Sequence, residues 1–285
     1  GPIEEFDFDV AILFSDILFP LESLGLDLKY IPGPTFNEKI QPKHIKNLKS
    51  TLEIANDLQF QSDALMLTRK ELSKDKSLVG FVGGPWTLLS FGAGIKKEPF
   101  VNNVDKNKFF EEALYDVLIP ILKESIKSQL NSGAEIVYVF DTNAVQLEKN
   151  YFTDKYLLKL EKELFIPFKK RVAYFTKHGA VNEIDDINNQ FSLAGHVYNS
   201  PNDLTKRLAS TRTGFIQGNF APESLRKEHS VFLHDYSLFK KQMLSLTKKE
   251  RAGWICSLNH GILPKTPEKN VKYFIEDIRS SFESL

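Results

Sequence analysis

The 285-residue sequence predicts an α/β fold in which parallel strands alternate with helices. Three observations carry that prediction. Seven short apolar runs, rich in β-branched and aromatic residues, punctuate the chain. Longer stretches with helical spacing separate most of them. Nearly every run ends in glycine or a hydrogen-bonding residue. Such alternation builds either a closed (β/α)8 TIM barrel or an open doubly wound sheet, and pattern alone leaves both in play. Seven βα units are one short of a barrel, and the first run starts as early as Val10. The barrel reading therefore predicts a first βα unit missing or incomplete here, with native sequence upstream of Gly1-Pro2.

The first run, Val10–Phe14, leads directly into Ser15-Asp16. A carboxylate at the end of a buried strand is costly unless polar groups meet it. In a parallel barrel that end is where substrates sit, and a carboxylate in a dry site grips cationic or N–H-rich atoms. The alternative for Asp16 is capping of a following turn. A weak helical pattern then fills Pro42 to Leu72. The run Leu78–Val82 is followed by Gly83-Gly84-Pro85-Trp86-Thr87, where glycines permit close backbone approach and a helix start offers N–H groups to an anion. Trp86 reads as core.

The clearest helix spans about Asn107 to Ser132, with Leu114, Leu118, Ile121, Leu122 and Ile126 on one face, Asp105 as N-cap and Gly133 as the stop. Ile136–Phe140 ends in Asp141-Thr142, where Asp141 reads as structural before catalytic. A helical pattern over Thr153–Lys169 precedes Arg171–Phe175, whose end carries Lys177, a candidate anion contact. Phe191–Val197, Thr213–Gln217 and Trp254–Leu258 complete the series, and Pro267 opens a closing helix through Tyr273 and Ile278. His260, just after the last run, reads equally as a ligand or as a satisfied core histidine. His44, His229 and His234 lie in polar helix-like segments and are expected to face solvent.

Composition excludes several classes. Lys+Arg and Asp+Glu balance at 37 each, so no overall field points to nucleic acid or to an anionic membrane. The single cysteine, Cys256, rules out an internal disulfide and a thiolate-rich zinc site, and suits a reducing compartment. No His/Asp/Glu cluster has metal-ligand spacing, no Ser has a nucleophile-elbow context, and no Gly-x-Gly-x-x-Gly follows the first strand. No apolar stretch approaches the ~20 residues of a membrane span, and no signal peptide is visible. The expectation is one soluble domain over residues 1–285, cytoplasmic unless an upstream segment directs it to an organelle, with no metal.

Several segments together resemble the uroporphyrinogen decarboxylase family. They are Phe14-Ser15-Asp16-Ile17-Leu18, Gly84-Pro85-Trp86-Thr87-Leu88, Phe140-Asp141-Thr142, Gln217-Gly218-Asn219 with Pro222, and His260-Gly261-Ile262-Leu263-Pro264, followed by Thr266-Pro267-Glu268-Lys269-Asn270-Val271. They stand in family order over essentially the whole chain. The resemblance implies a (β/α)8 barrel, a homodimer, and a cofactor-free carboxy-lyase that converts the four acetate side chains of uroporphyrinogen to methyls, giving coproporphyrinogen in haem biosynthesis. It also implies roles. Asp16 matches the Asp that faces the pyrrole N–H groups, Thr142 matches a substrate-binding Ser, and His260 matches a substrate-contacting His.

The departures are informative too. Phe91 aligns with a family Tyr, so a phenolic hydrogen bond is lost, and Val197-Tyr198 stands where the family has Asp-Trp. The family's N-terminal Arg-Gln-Ala-Gly-Arg-Tyr segment, whose arginines neutralise substrate carboxylates, is absent from these residues. They motivate a competing reading, a non-catalytic relative binding an anionic tetrapyrrole-like ligand or a protein partner. A corrinoid-related methyltransferase, which needs a thiolate-bearing zinc site, is poorly served by Cys256 alone.

Overall fold

The computed structural model describes residues 1–46, 50–95, 108–200 and 204–283. These divide into two compact units. One comprises Asp9–Val181 with Phe191–Ala194; the other comprises Gly1–Phe8, Asn182–Gln190 and Gly195–Leu285.

The strands of the first unit are, in chain order, β1 (Val10–Ile12), β2 (Leu28–Tyr30), β3 (Pro34–Phe36), β4 (Ser77–Gly83), β5 (Ile136–Asp141) and β6 (Val172–Thr176). β1, β4, β5 and β6 form a parallel ladder in that order, with Ala11 opposite Leu78, Val79 opposite Ile136 and Val137 opposite Val172. β4 and β6 are buried along almost their whole length, which is why they read as unbroken apolar runs and not as alternating ones. β1 is shorter than its apolar run: Leu13 still donates to the Val79 carbonyl at 3.2 Å, but Phe14 turns out, 94% exposed.

β2 and β3 pair antiparallel as a hairpin, Leu28 opposite Phe36, which the sequence reading did not anticipate. Each strand has only three residues, too few for alternation to show.

The helix Ile119–Asn131 buries Ile121, Leu122, Ile126 and Leu130 and ends as expected, Ser132 closing it and Gly133 taking φ +107°. A π-type turn over Glu112–Leu118 precedes it. The predicted cap Asp105 and start Asn107 lie outside the described residues. The Pro42–Leu72 pattern breaks into Pro42–Lys46, Thr51–Asp57 and Gln59–Glu71. His44 corrects an expectation. It is buried, its Nδ1 accepting from the Gln41 N–H at 2.9 Å while Nε2 meets Glu38 at 3.3 Å.

The second unit carries β7 (Gly195–Val197), β8 (Phe215–Gln217) and β9 (Trp254–Ile255), also parallel. Its core centres on Phe220, against Phe232, Tyr236, Phe239 and Phe274. The helices His229–Leu244 and Glu268–Glu283 are tied by Asp277, which accepts from the Tyr236 hydroxyl and the Lys240 ammonium, each at 2.6 Å. The βα succession predicted from the pattern is therefore present in both units, and all seven expected strands exist. Among the described residues no helix is long and apolar enough to cross a membrane.

One buried group of this unit makes stability depend on pH. The Asn188 amide nitrogen donates to the Thr213 and Phe215 carbonyls, so its oxygen faces the His196 Nδ1 at 3.0 Å and that nitrogen carries the proton of a neutral ring. Burial, reinforced by Arg207 and Arg212, pushes the His196 pKa down to about 3. The unfolded chain binds a proton there near pH 6.5, and the folded one does not. Stability is fully present above about pH 6.5 and falls as the pH drops toward 3, by roughly 5 kcal/mol at most. Melting temperatures measured between pH 8 and 4 should show that slope, and His196→Gln should flatten it.

Candidate active site

Asp16 sits in the loop that carries the chain from β1 to the short helix Phe19–Ser23. Its Oδ1 accepts the Leu18 N–H at 2.7 Å, closing an Asx turn, so the capping alternative is realised with one oxygen. Its Oδ2 accepts from the hydroxyl of Tyr30, brought over by the β2–β3 hairpin. The side chain is half-buried and lines a hollow of about 370 Å³ with Ile12, Phe14, Ser15, Ile17, Phe81 and Phe140. Among the described residues that line it, Asp16 alone carries a carboxylate. Ser15 is held from behind, its hydroxyl accepting from the Gln61 amide at 2.8 Å. The aromatic side is continuous: Phe81 and Phe140 lie 5.5 Å apart, centroid to centroid, and Tyr138 stacks on Phe140 at 5.7 Å.

The Tyr30 phenol is pushed up to about 12, first by loss of solvent and then by the Asp16 carboxylate beside it, so it stays a donor through the neutral range. No sequence signal singled out Tyr30. The available hint was the Pro32-Gly33-Pro34 turn after it, which could have been read as a hairpin bringing its strand back toward Asp16.

A second carboxylate, Asp141, lies at the end of β5 and is fully buried. Its Oδ1 accepts from the Thr87 N–H at 3.0 Å and the Thr87 hydroxyl at 2.8 Å; its Oδ2 accepts from Tyr156 at 2.6 Å and Tyr174 at 3.2 Å. Burial raises its pKa, and the four donors oppose that rise. Asn143 extends the network, donating from its N–H to the Thr87 hydroxyl at 3.0 Å and from its amide to Ser90 at 2.7 Å. The effect is to clamp the helix Pro85–Gly92 onto the end of β5.

That clamp corrects the expectation of an anion site at the helix start. The Trp86 N–H donates to the Tyr156 oxygen at 2.9 Å and the Thr87 N–H is taken by Asp141, so the first turn is satisfied from within. Gly84 is required here by proximity, because a Cβ at that position would overlap the Asp141 side chain. Gly84→Ala should destabilise the protein by roughly 3 kcal/mol, visible as a lower denaturant midpoint. Trp86 is core, with no exposure.

The remaining sequence candidates are placed individually. Thr142 is half-buried and follows Asp141 at the start of the 3₁₀ turn Thr142–Gln146. Phe91 is 37% exposed on the last turn of the Pro85–Gly92 helix and does not line the hollow. His260 lies in the second unit, exposed in the loop after β9, which removes the core-histidine alternative. Lys177 is exposed. Among the described residues no group of three or more His, Cys, Asp or Glu side chains is arranged to hold a metal ion. Burial pushes the Cys256 thiol well above its usual range, away from the thiolate a metal would need.

The family model for uroporphyrinogen decarboxylase matches residues 1–281. The chain belongs to that family. It is 34% identical to the uroporphyrinogen decarboxylase of Campylobacter lari, covering 96% of this chain and 81% of that enzyme. Its identity to the enzyme of Helicobacter pylori strain Shi470 is also 34%, with the same coverage. Among solved structures, a methyltransferase from Methanosarcina mazei superposes with a TM-score of 0.68 over 99% of this chain and 82% of that one, at 17% identity, a likeness of fold alone.

Proposed function

We propose that this chain decarboxylates the acetate side chains of uroporphyrinogen to give coproporphyrinogen. The observation that carries the reading is Asp16: a lone carboxylate on an aromatic, apolar wall, with one oxygen anchored by a backbone N–H. A tetrapyrrole macrocycle offers apolar faces to such a wall and a ring of N–H donors to such a carboxylate.

The chemistry follows from the substrate. Protonation of a pyrrole carbon makes a cationic ring. The C–CO₂ bond then breaks, its electron pair neutralises the ring as CO₂ leaves, and protonation of the resulting methylene with loss of the ring proton yields a methyl group. Each acetate consumes one proton net. The pyrrole itself is the electron sink, so the reading calls for no cofactor. Asp16 accepts the N–H groups and stabilises the cation most strongly when the charge is fully formed, in a site poor in water. Thr142 and His260 are assigned to substrate carboxylates, which a hydroxyl and an imidazole suit. Phe91 occupies its family position with an apolar ring and without a hydroxyl.

The family model's match to residues 1–281 supports reading residues 1–285 as one barrel domain. A cytoplasmic homodimer completes the proposal; the single cysteine suits a reducing compartment. The test is anaerobic turnover of uroporphyrinogen with product analysis. Stepwise appearance of hepta-, hexa-, penta- and tetracarboxylate products supports the reading, and tight binding without CO₂ release would assign the chain to the non-catalytic alternative.

A further inference from the structure

We infer that Tyr30 is a positioning residue for Asp16, locking the carboxylate plane so that its remaining lone pairs face the hollow. The inference rests on the role proposed for Asp16 and adds a residue to it. An Asp carboxylate rotates about a broad, nearly two-fold torsion, so one hydrogen bond leaves its plane poorly defined. The Leu18 N–H of the local turn holds Oδ1, and the Tyr30 hydroxyl of the β2–β3 hairpin holds Oδ2. A carboxylate has about four acceptor sites. Two are occupied by these donors, and two remain for substrate N–H groups.

The hairpin that delivers Tyr30 is braced without it. Leu28 pairs with Phe36, the Ile31 N–H donates to the Gly33 carbonyl at 3.0 Å, the Thr35 hydroxyl donates to the Lys29 carbonyl at 3.2 Å, and the Asn37 amide donates to the Asp27 carboxylate. Tyr30 is itself 53% exposed, so little packing depends on its ring. Its hydroxyl therefore acts on Asp16 more than on the fold. A phenol that stays protonated through the neutral range keeps this contact there.

The test compares Tyr30→Phe, Asp16→Asn and the double variant for melting temperature, kcat and KM with uroporphyrinogen. Tyr30→Phe is expected to keep the melting temperature, lower kcat about tenfold and leave KM nearly unchanged, the pattern of an interaction that matters in the transition state. In the Asp16→Asn background it should lower kcat no further, because the group it positions is gone. A Tyr30→Phe enzyme with wild-type kcat, beside an impaired Asp16→Asn enzyme, overturns the positioning role and leaves the Asp16 reading standing. A lower KM at unchanged kcat would make Tyr30 a plug that substrate displaces, and also overturns it. Wild-type turnover by Asp16→Asn removes the Asp16 reading and this inference together.

Discussion

Replacing Asp16 by Asn is expected to lower kcat for uroporphyrinogen by about 10²–10³ while leaving the protein folded. Both of its contacts survive the change. The Asn oxygen still accepts the Leu18 N–H, and the amide donates to the Tyr30 oxygen in place of the present bond in the other direction. What disappears is the negative charge, together with half of the acceptor capacity left for the substrate. A neutral pyrrole loses little by that; a protonated, electron-poor ring loses much more. The loss should therefore fall on kcat, with KM rising less. Asp16→Glu keeps the charge but displaces it by one methylene, and should recover part of the rate. Circular dichroism and a melting curve on each variant separate chemistry from folding. Wild-type turnover by Asp16→Asn would remove the carboxylate from the mechanism.

Asp16 was legible in the sequence because a charged residue directly after an apolar strand is conspicuous wherever strand ends gather a site. The strands themselves were legible for a related reason. β4, β5 and β6 are covered on both faces, so their sequences are nearly continuous apolar runs that stand out from the polar helices between them. The hairpin of β2 and β3 was not, since three residues per strand give no period to read. Tyr30 was hidden with it. Its partner lies 14 residues away, and nothing local to Lys29-Tyr30-Ile31 says that the hydroxyl will meet a carboxylate. His44 was misread because a helix of five residues carries too few positions to define a buried face.

Asp141 should give the largest loss of stability of any single polar change in the first unit. Four donors aim at its two oxygens, from the backbone and hydroxyl of Thr87 and from the phenols of Tyr156 and Tyr174, and the carboxyl has no exposure to water. Asp141→Asn replaces one acceptor atom by a donor, so either the phenol protons of Tyr156 and Tyr174 or the Thr87 pair lose their acceptor. The expected cost is about 3 kcal/mol, since a buried polar group then stays unpaired in a medium that cannot compensate it. Asp141→Ala removes every acceptor at once and should cost about 4–5 kcal/mol, with a cavity added. Tyr174→Phe deletes only the longest of the four bonds and should cost near 1 kcal/mol. Denaturant midpoints for the three variants check the ranking. The order matters more than the values, because it follows from the number of donors left without an acceptor. If Tyr174→Phe proved as damaging as Asp141→Ala, ring packing and not the carboxylate would be holding the Pro85–Gly92 helix against β5.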